Sequence, residues 1–313
     1  MPQPDDDQAL FDLLSALRTG GYRFVTPTPA THARVLKRPD KRAASDLRDV
    51  FGWSLPFTAE AAGPDVMALM ERGGVLRRDG DRLASTVRVS TLDDWLFLHS
   101  AYPPKGEDAV FFGPDSYRFA SFLKAELDGR GGGGRIVDVG AGSGVGGVVA
   151  AASWPGASVV LGDVNRQALR LARINAAHAG TGAETVESSG LDALEGQFNL
   201  VIANPPYMVA SDGRAYREGG DMHGAGLSLD WATQAVARLA PGGRLLMYTG
   251  SAIVAGEDPL RGALEPVMQA AGCEWSYREL DPDVFGEELE RPEYQDVERI
   301  AVVALVARKR SGT

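Results

Sequence analysis

The sequence predicts an α/β protein: a mostly parallel sheet of seven strands covered by helices on both faces, preceded by a smaller, mainly helical module. Three observations carry this. From Arg135 onward, short runs rich in β-branched residues alternate with amphipathic stretches of helical length, the pattern of strand–helix–strand units. Several of those runs are apolar throughout, as strands buried on both faces are. The last two runs, CEWSYREL and RIAVVALVAR, have no helical pattern between them, which makes the last strand antiparallel to the rest.

Taken in order, residues 8–17, 30–37 and 43–51 show helical periodicity, and Pro64 opens a further helix over 65–71 that Gly73 and Gly74 close. VLRRDGDRLASTVRV then reads as two strands joined around Asp79 and Gly80, a hairpin signal. Helices followed by a small hairpin suggest a winged-helix-like module, whose role is to recruit a substrate or only to pack. GRGGGGR, at 129–135, is a loop or short hinge. We therefore expect one domain over 1–105 and a second over 106–313. In the second, RIVDVG, a helix over 144–152, SVVLGD, a helix over 165–178, AETVESS and FNLVIAN follow one another. A helix over 227–239, GRLLMYTG and a helix over 258–271 lead to the closing pair. Right-handed crossovers join such parallel strands.

Bulk properties exclude several classes. No apolar run of the 313 residues reaches the length of a membrane span, so no membrane partner is expected. The opening MPQPDDDQAL is acidic where a secretory leader is basic, and the single Cys273 has no internal disulfide partner; both point to the cytoplasm. His32, His99, His178 and His223 lie far apart without the spacing of a zinc site, so no metal is expected. The net charge of −10 is unevenly spread: residues 1–105 hold 14 basic and 14 acidic side chains, the remainder 18 and 28. The second domain therefore lacks the broad positive surface of a tight phosphate-backbone binder. Arg34, Lys37, Arg38, Lys41 and Arg42 form a local basic cluster, which reads equally as a solvated helix face or as a hold on nucleic acid. Oligomeric state is not legible.

Two stretches carry chemistry. In VDVGAGSGVGG, 137–147, Gly140, Gly142 and Gly144 allow a sharp strand-to-helix turn and close approach of a ligand to the backbone. The spacing Gly142-x-Gly144-x-x-Gly147 also matches a dinucleotide-binding loop, but it is displaced, because the strand already ends at Asp138-x-Gly140. A carboxylate there repels a pyrophosphate and suits a cationic amino group. No Lys-Ser/Thr follows the glycines, which disfavours a phosphate-gripping loop. The next strand ends at Asp163, about twenty residues on, where a carboxylate accepts both hydroxyls of a ribose. Asp138 for an ammonium, glycines for the middle and Asp163 for a ribose together describe S-adenosylmethionine. In FNLVIANPPYMVA, 198–210, a buried strand stops at Asn204, Pro205, Pro206 and Tyr207, so two prolines fix the path of the turn that presents the amide.

Residues 111–313 resemble the class I S-adenosylmethionine-dependent methyltransferases in strand alternation, in DVGAGSG, in LGDVN and in the closing strand pair. That resemblance implies a Rossmann-like domain. NPPY narrows it to the branch acting on planar amide or amino nitrogens, which includes HemK-like glutamine methyltransferases and adenine N6 or guanine N2 methyltransferases of RNA and DNA. FFGPDSYRF resembles the segment that HemK-like enzymes carry before the cofactor domain, which implies that Pro114, Asp115 and Ser116 border the cofactor's methionine end. The implied cofactor set also includes Ala141, Val164, Asn165 and Asn204. The family's adenine contact falls on Ser189, with Asp192 close behind, a departure from the usual acidic or amide residue. A second departure is the first hundred residues, which do not read as the all-helical domain of HemK-like enzymes.

An amide or aryl-amine nitrogen is a poor nucleophile because its lone pair is delocalised. The Asn204 and Pro205 carbonyls are suited to accept its two hydrogens in fixed directions, and Tyr207 offers a face for stacking. The long glycine-rich stretch after NPPY, 208–226, is expected to cover the acceptor, with Tyr216 and Arg217 touching it. The acidic stretch 281–297 is expected on the face that carries Asn204, where it repels polyphosphate and favours a protein acceptor. A protein glutamine is thus the first reading, a nucleic-acid base amino group the second, with S-adenosylhomocysteine as product. A nicotinamide-dependent oxidoreductase or a silent nucleoside-binding module are the remaining alternatives, and neither uses NPPY.

Overall fold

A computed structural model describes residues 4–104, 106–129, 131–209 and 218–311. The N-terminal part holds helices α1 (Pro4–Thr19), α2 (Pro29–Leu36), α3 (Leu47–Phe51), α4 (Ala59–Ala62) and α5 (Pro64–Arg72). Two hairpins follow, β1 (Leu76–Asp79) with β2 (Arg82–Ser85) and β3 (Val87–Leu92) with β4 (Trp95–Ser100). The second hairpin departs from the sequence reading. Ser85 Oγ donates to the Val87 carbonyl at 2.7 Å and accepts from its amide at 3.2 Å, a side-chain turn that splits one expected strand into β2 and β3. The helix expected over 43–51 is shorter too. Asp46 accepts the Asp49 amide at 2.8 Å as an N-cap and so starts α3 late, while Lys41 and Ser45 hold the buried Asp49 carboxylate ahead of it.

The larger unit opens with α6 (Pro114–Leu127), where Gly113 and Pro114 at the first helical position turn the FFGPDS stretch into a helix start. Next come β5 (Arg135–Val139), α7 (Val145–Ser153), β6 (Ser158–Asp163), α8 (Arg166–His178), β7 (Ala183–Glu187) and β8 (Phe198–Ala203). The chain continues as α9 (Gly226–Arg238), β9 (Leu239–Ile253), α10 (Pro259–Ala270), β10 (Cys273–Asp281) and β11 (Arg299–Lys309). The seven strands lie in the order β10-β11-β9-β8-β5-β6-β7. All run parallel except β11, which pairs antiparallel with both β9 and β10, as the missing helix between the last two runs predicts.

One face of the sheet is covered by α6 and α7, with Leu123, Val148 and Val149 against Ile136, Leu200 and Tyr248. The other is covered by α9 and α10, with Trp231, Ala235 and Leu264 against Val137, Val201 and Val303. No described helix is long and apolar enough to cross a membrane.

Helix α8 faces two ways. Ala172 and Ala176 join the sheet-side core, while Ala168, Leu171 and Ile174 enter a third core with Leu10, Leu14 and Leu17 of α1 and Leu98 of β4. The fully buried Asn175 lies between these faces. Its Oδ1 accepts the Leu98 amide at 2.8 Å, and its Nδ2 donates to the Leu98 and Ser143 carbonyls, each at 2.9 Å. One side chain thus joins the N-terminal module to the glycine loop. Asp7 adds ion pairs to Arg170, at 2.6 Å, and to Arg173. Asn175→Ala strands three buried backbone groups, and at the low end of about 1–3 kcal/mol for each it should cost ~3 kcal/mol in urea unfolding. A loss below about 1 kcal/mol would mean that the joint is not structural.

Candidate active site

Strand register assembles the site. Val139 of β5 pairs with Gly162 of β6 on one side and Ala203 of β8 on the other. The residues that follow, Gly140, Asp163 and Asn204, therefore stand side by side at the carboxyl edge of three adjacent strands. Strand order reverses there, because the connection from β5 leads to β6 while β8 lies on the other side, and open parallel sheets bind ligands at such a crevice.

The loop from Gly140 to Gly144 carries Ala141 and Gly142, with Gly144 as the N-cap of α7. Gly140 has φ +67°, and a Cβ there would stand 2.5 Å from the Trp231 indole, so backbone shape and the close ring both require glycine. No sequence spacing points to Trp231, which arrives from α9. Asp163 accepts the Gly142 amide on one oxygen and the Asn165 amide on the other, each at 2.9 Å. Burial raises its carboxyl above the usual range against the pull of those amides. Each oxygen keeps room for a further donor. Beside it Val164 is 55 % exposed, an apolar side chain facing outward, and Asn165 caps α8 through the Gln167 and Ala168 amides. Ser189 is exposed after β7, followed by the exposed Asp192.

Asp138 is turned under α7, where it is 2 % exposed and accepts the Gly147 amide at 2.7 Å. Burial pushes its carboxyl up to about 7, opposed by that amide and assisted by the charge of Asp163.

The Asn204 side chain makes no hydrogen bond among the described residues, nor does the Pro205 carbonyl. Pro206 follows, half-buried. Tyr207 is 8 % exposed and its ring lies on Gly250 of β9, where a Cβ would come within 2.2 Å of a ring carbon. Its hydroxyl donates to the buried Asp115 at 2.6 Å, and Asp115 also accepts from Tyr248 at 3.0 Å and Arg118 at 3.1 Å. Burial and the Asp115 charge push the Tyr207 phenol up, so it stays a donor. Pro114 and Ser116 flank Asp115 in the first turn of α6, with Ser116 Oγ accepting the Gly113 amide at 3.3 Å.

The stretch 281–297 lies against this turn. Tyr294 Oη accepts the Val209 amide at 2.8 Å, and Arg291 donates to the Val209 carbonyl at 2.7 Å while pairing with Glu288 at 2.8 Å. The Tyr207 and Phe285 rings stand 6.0 Å apart. Tyr216 and Arg217 lie outside the described residues. In the basic cluster, Arg34, Lys37, Arg38 and Arg42 are exposed, whereas Lys41 is committed to Asp49 at 2.7 Å.

Because the folded pKa of Asp138 exceeds that of an unfolded aspartate, ~3.9, this group supports the fold fully below about pH 4. That contribution is lost as pH rises through about 7. Asp138→Asn keeps an acceptor for Gly147 but cannot ionise. Its loss of stability between about pH 5 and pH 8 should therefore be smaller than the parent's in urea titrations; an equal loss would mean that Asp138 is ionised throughout.

Comparison with known proteins extends this geometry. Residues 117–271 match the family model described as the methyltransferase small domain. A release factor glutamine methyltransferase of Deinococcus radiodurans is 35 % identical over 166 residues, which cover 49 % of this chain and 55 % of that protein. A ribosomal RNA small subunit methyltransferase C of Pseudoalteromonas atlantica is 39 % identical over 74 residues, 24 % of this chain and 22 % of that protein. The chain thus spans about half the length of the first relative. A solved structure from Pyrococcus horikoshii, described as a proposed transferase, superposes with a TM-score of 0.51 at 12 % identity, covering 81 % of this chain and 86 % of that one. Strand order, the antiparallel last strand and the flanking helices make this the Rossmann-like methyltransferase fold.

Proposed function

We propose that the protein transfers a methyl group from S-adenosylmethionine to a planar nitrogen, first of all the side-chain amide of a protein glutamine. The observation that carries this is the pair of unused acceptors, the Asn204 amide and the Pro205 carbonyl, at the strand end beside the glycine loop. The residues present fit the cofactor. Asp163 keeps open lone pairs for ribose hydroxyls, Val164 offers an outward apolar face for a base with Ser189 nearby, and Gly142, whose missing Cβ would meet nothing nearer than a backbone oxygen at 4.0 Å, leaves room for close approach. Asp138, 2 % exposed under α7, holds the glycine loop in shape through the Gly147 amide. When bound, the cofactor supplies a methyl group on positively charged sulfur, already a strong electrophile.

The chain's own residues then position the nitrogen. The Asn204 and Pro205 carbonyls accept its two hydrogens and aim the lone pair, and the proline fixes where its oxygen points. No group is required to remove a proton first, because the proton leaves after transfer. Tyr207 is 8 % exposed, with its ring against Gly250 and its hydroxyl on Asp115, so its part is to hold the turn and not to offer a stacking face. We take 1–105 as an acceptor-recruiting unit and 106–313 as the transferring domain, working in the cytoplasm, with Tyr216 and Arg217 as acceptor contacts. The relative from Deinococcus radiodurans and the acidic stretch 281–297 favour a protein acceptor. Arg34, Lys37, Arg38 and Arg42, exposed and without an ion pair among the described residues, together with the ribosomal RNA relative, favour the second reading, a base amino group.

Incubation with tritiated cofactor and a lysate of cells lacking the gene separates these readings. Label should survive ribonuclease and vanish with protease; the reverse makes the acceptor a nucleic acid. Asp163→Ala should weaken cofactor binding in calorimetry by about 1.5–3 kcal/mol for each charge-assisted bond lost, and unaltered affinity would sink the ribose assignment. Asn204→Ala should bind the cofactor nearly as the parent does yet turn over about a hundredfold more slowly or worse. Parent-like turnover would remove Asn204 from the chemistry.

A further inference from the structure

We infer that Asp115 acts on the acceptor side of the site, as a positioning residue that fixes the turn 204–207, and not as the cofactor contact its motif implies. This rests on the methyl-transfer reading above. Asp115 is 5 % exposed, and three donors converge on it: the phenols of Tyr207, at 2.6 Å, and Tyr248, at 3.0 Å, and the Arg118 guanidinium, at 3.1 Å. A carboxylate so enclosed has little left to offer a ligand. The Tyr207 bond has the length of a charge-assisted O–H···O⁻ pair, the stronger kind of hydrogen bond.

The donors come from separate elements. Tyr207 ends the turn that begins at Asn204, Tyr248 lies on β9 next to β8, and Arg118 is on the same helix as Asp115. Arg118 also reaches Asp281, at 3.3 Å, where the acidic stretch begins. One buried carboxylate therefore ties α6, the turn, the sheet and the acidic stretch together. Between Asn204 and Tyr207 stand only Pro205 and Pro206, whose rings restrict the backbone. Pinning the Tyr207 end consequently sets the direction of the Asn204 amide and the Pro205 carbonyl. Two residues further on, Tyr294 and Arg291 hold Val209, so the chain stays fixed as it leaves the turn.

Asp115→Asn and Tyr207→Phe test this, each checked for folding by circular dichroism. Calorimetry with S-adenosylhomocysteine reads the cofactor side without an acceptor. Initial rates of tritiated methyl transfer into the lysate of gene-deleted cells read the acceptor side. Expected are a retained S-adenosylhomocysteine affinity and a rate lowered up to about a hundredfold, the effect of a displacement near 1 Å. The double variant should be no slower than the slower single variant, because both break one connection. Affinity that falls in step with rate makes Asp115 a cofactor contact and overturns the proposal, as do unchanged rates. If Asp115→Asn does not fold, Tyr207→Phe decides alone, since it leaves Tyr248 and Arg118 on the carboxylate. A parent that binds S-adenosylhomocysteine but labels nothing overturns the methyl-transfer reading instead.

Discussion

The parallel pairing of β5 with β6 on one side and β8 on the other is the constraint on which the site depends. Val139 opposite both Gly162 and Ala203 sets the three strand ends level, and only then do Gly140, Asp163 and Asn204 face one crevice. A slip of one residue in either pairing would turn a buried run such as Leu200, Val201 and Ile202 over and move Asn204 out of line with the loop. Apolar side chains on both sheet faces oppose such a slip. The geometry of the site is thus secured by the core, several residues below any ligand.

A second dependence runs through α8. Its inner face belongs to the sheet and its outer face to the N-terminal module, and Asn175 between them binds Leu98 and Ser143 together. Ser143 lies inside the glycine loop, so the module that begins the chain helps to hold the loop that the ligand would meet. This is a packing reason for the second hairpin. Through the backbone of Leu98, β4 supplies the hydrogen-bond partners that make a buried amide tolerable in α8.

What the sequence made legible was local. Alternating strands and helices, the missing helix before the last strand, the glycine loop and the strand stopping at NPPY all arise from periodicity or composition within about twenty residues. Element ends were less legible, because side chains set them: the Ser85 turn divides a run that looks continuous, and the Asp46 cap delays a helix whose pattern begins earlier. Contacts between distant residues were not legible at all. Trp231 against Gly140, Tyr207 on Asp115 across 92 residues, and Tyr294 on Val209 across 85 follow only from tertiary packing, and no spacing announces them.

Those contacts nevertheless sort the polar groups of the site by a simple measure, how many donors each already holds. Asp115 has three and lies enclosed, so its charge is consumed by the structure. Asp138 has the single Gly147 amide and almost no exposure, and burial resists its ionisation; it serves the loop. Asp163 holds two amides yet remains half-buried, with lone pairs left on both oxygens, which suits hydroxyl groups arriving from outside. Asn204 holds none. An amide left without a partner at the end of a buried strand forgoes stabilisation that a turn could readily provide, and a fold retains it where the missing partner comes from another molecule. On the proposed methyl transfer, that molecule is the acceptor and its hydrogen-bearing nitrogen is the partner.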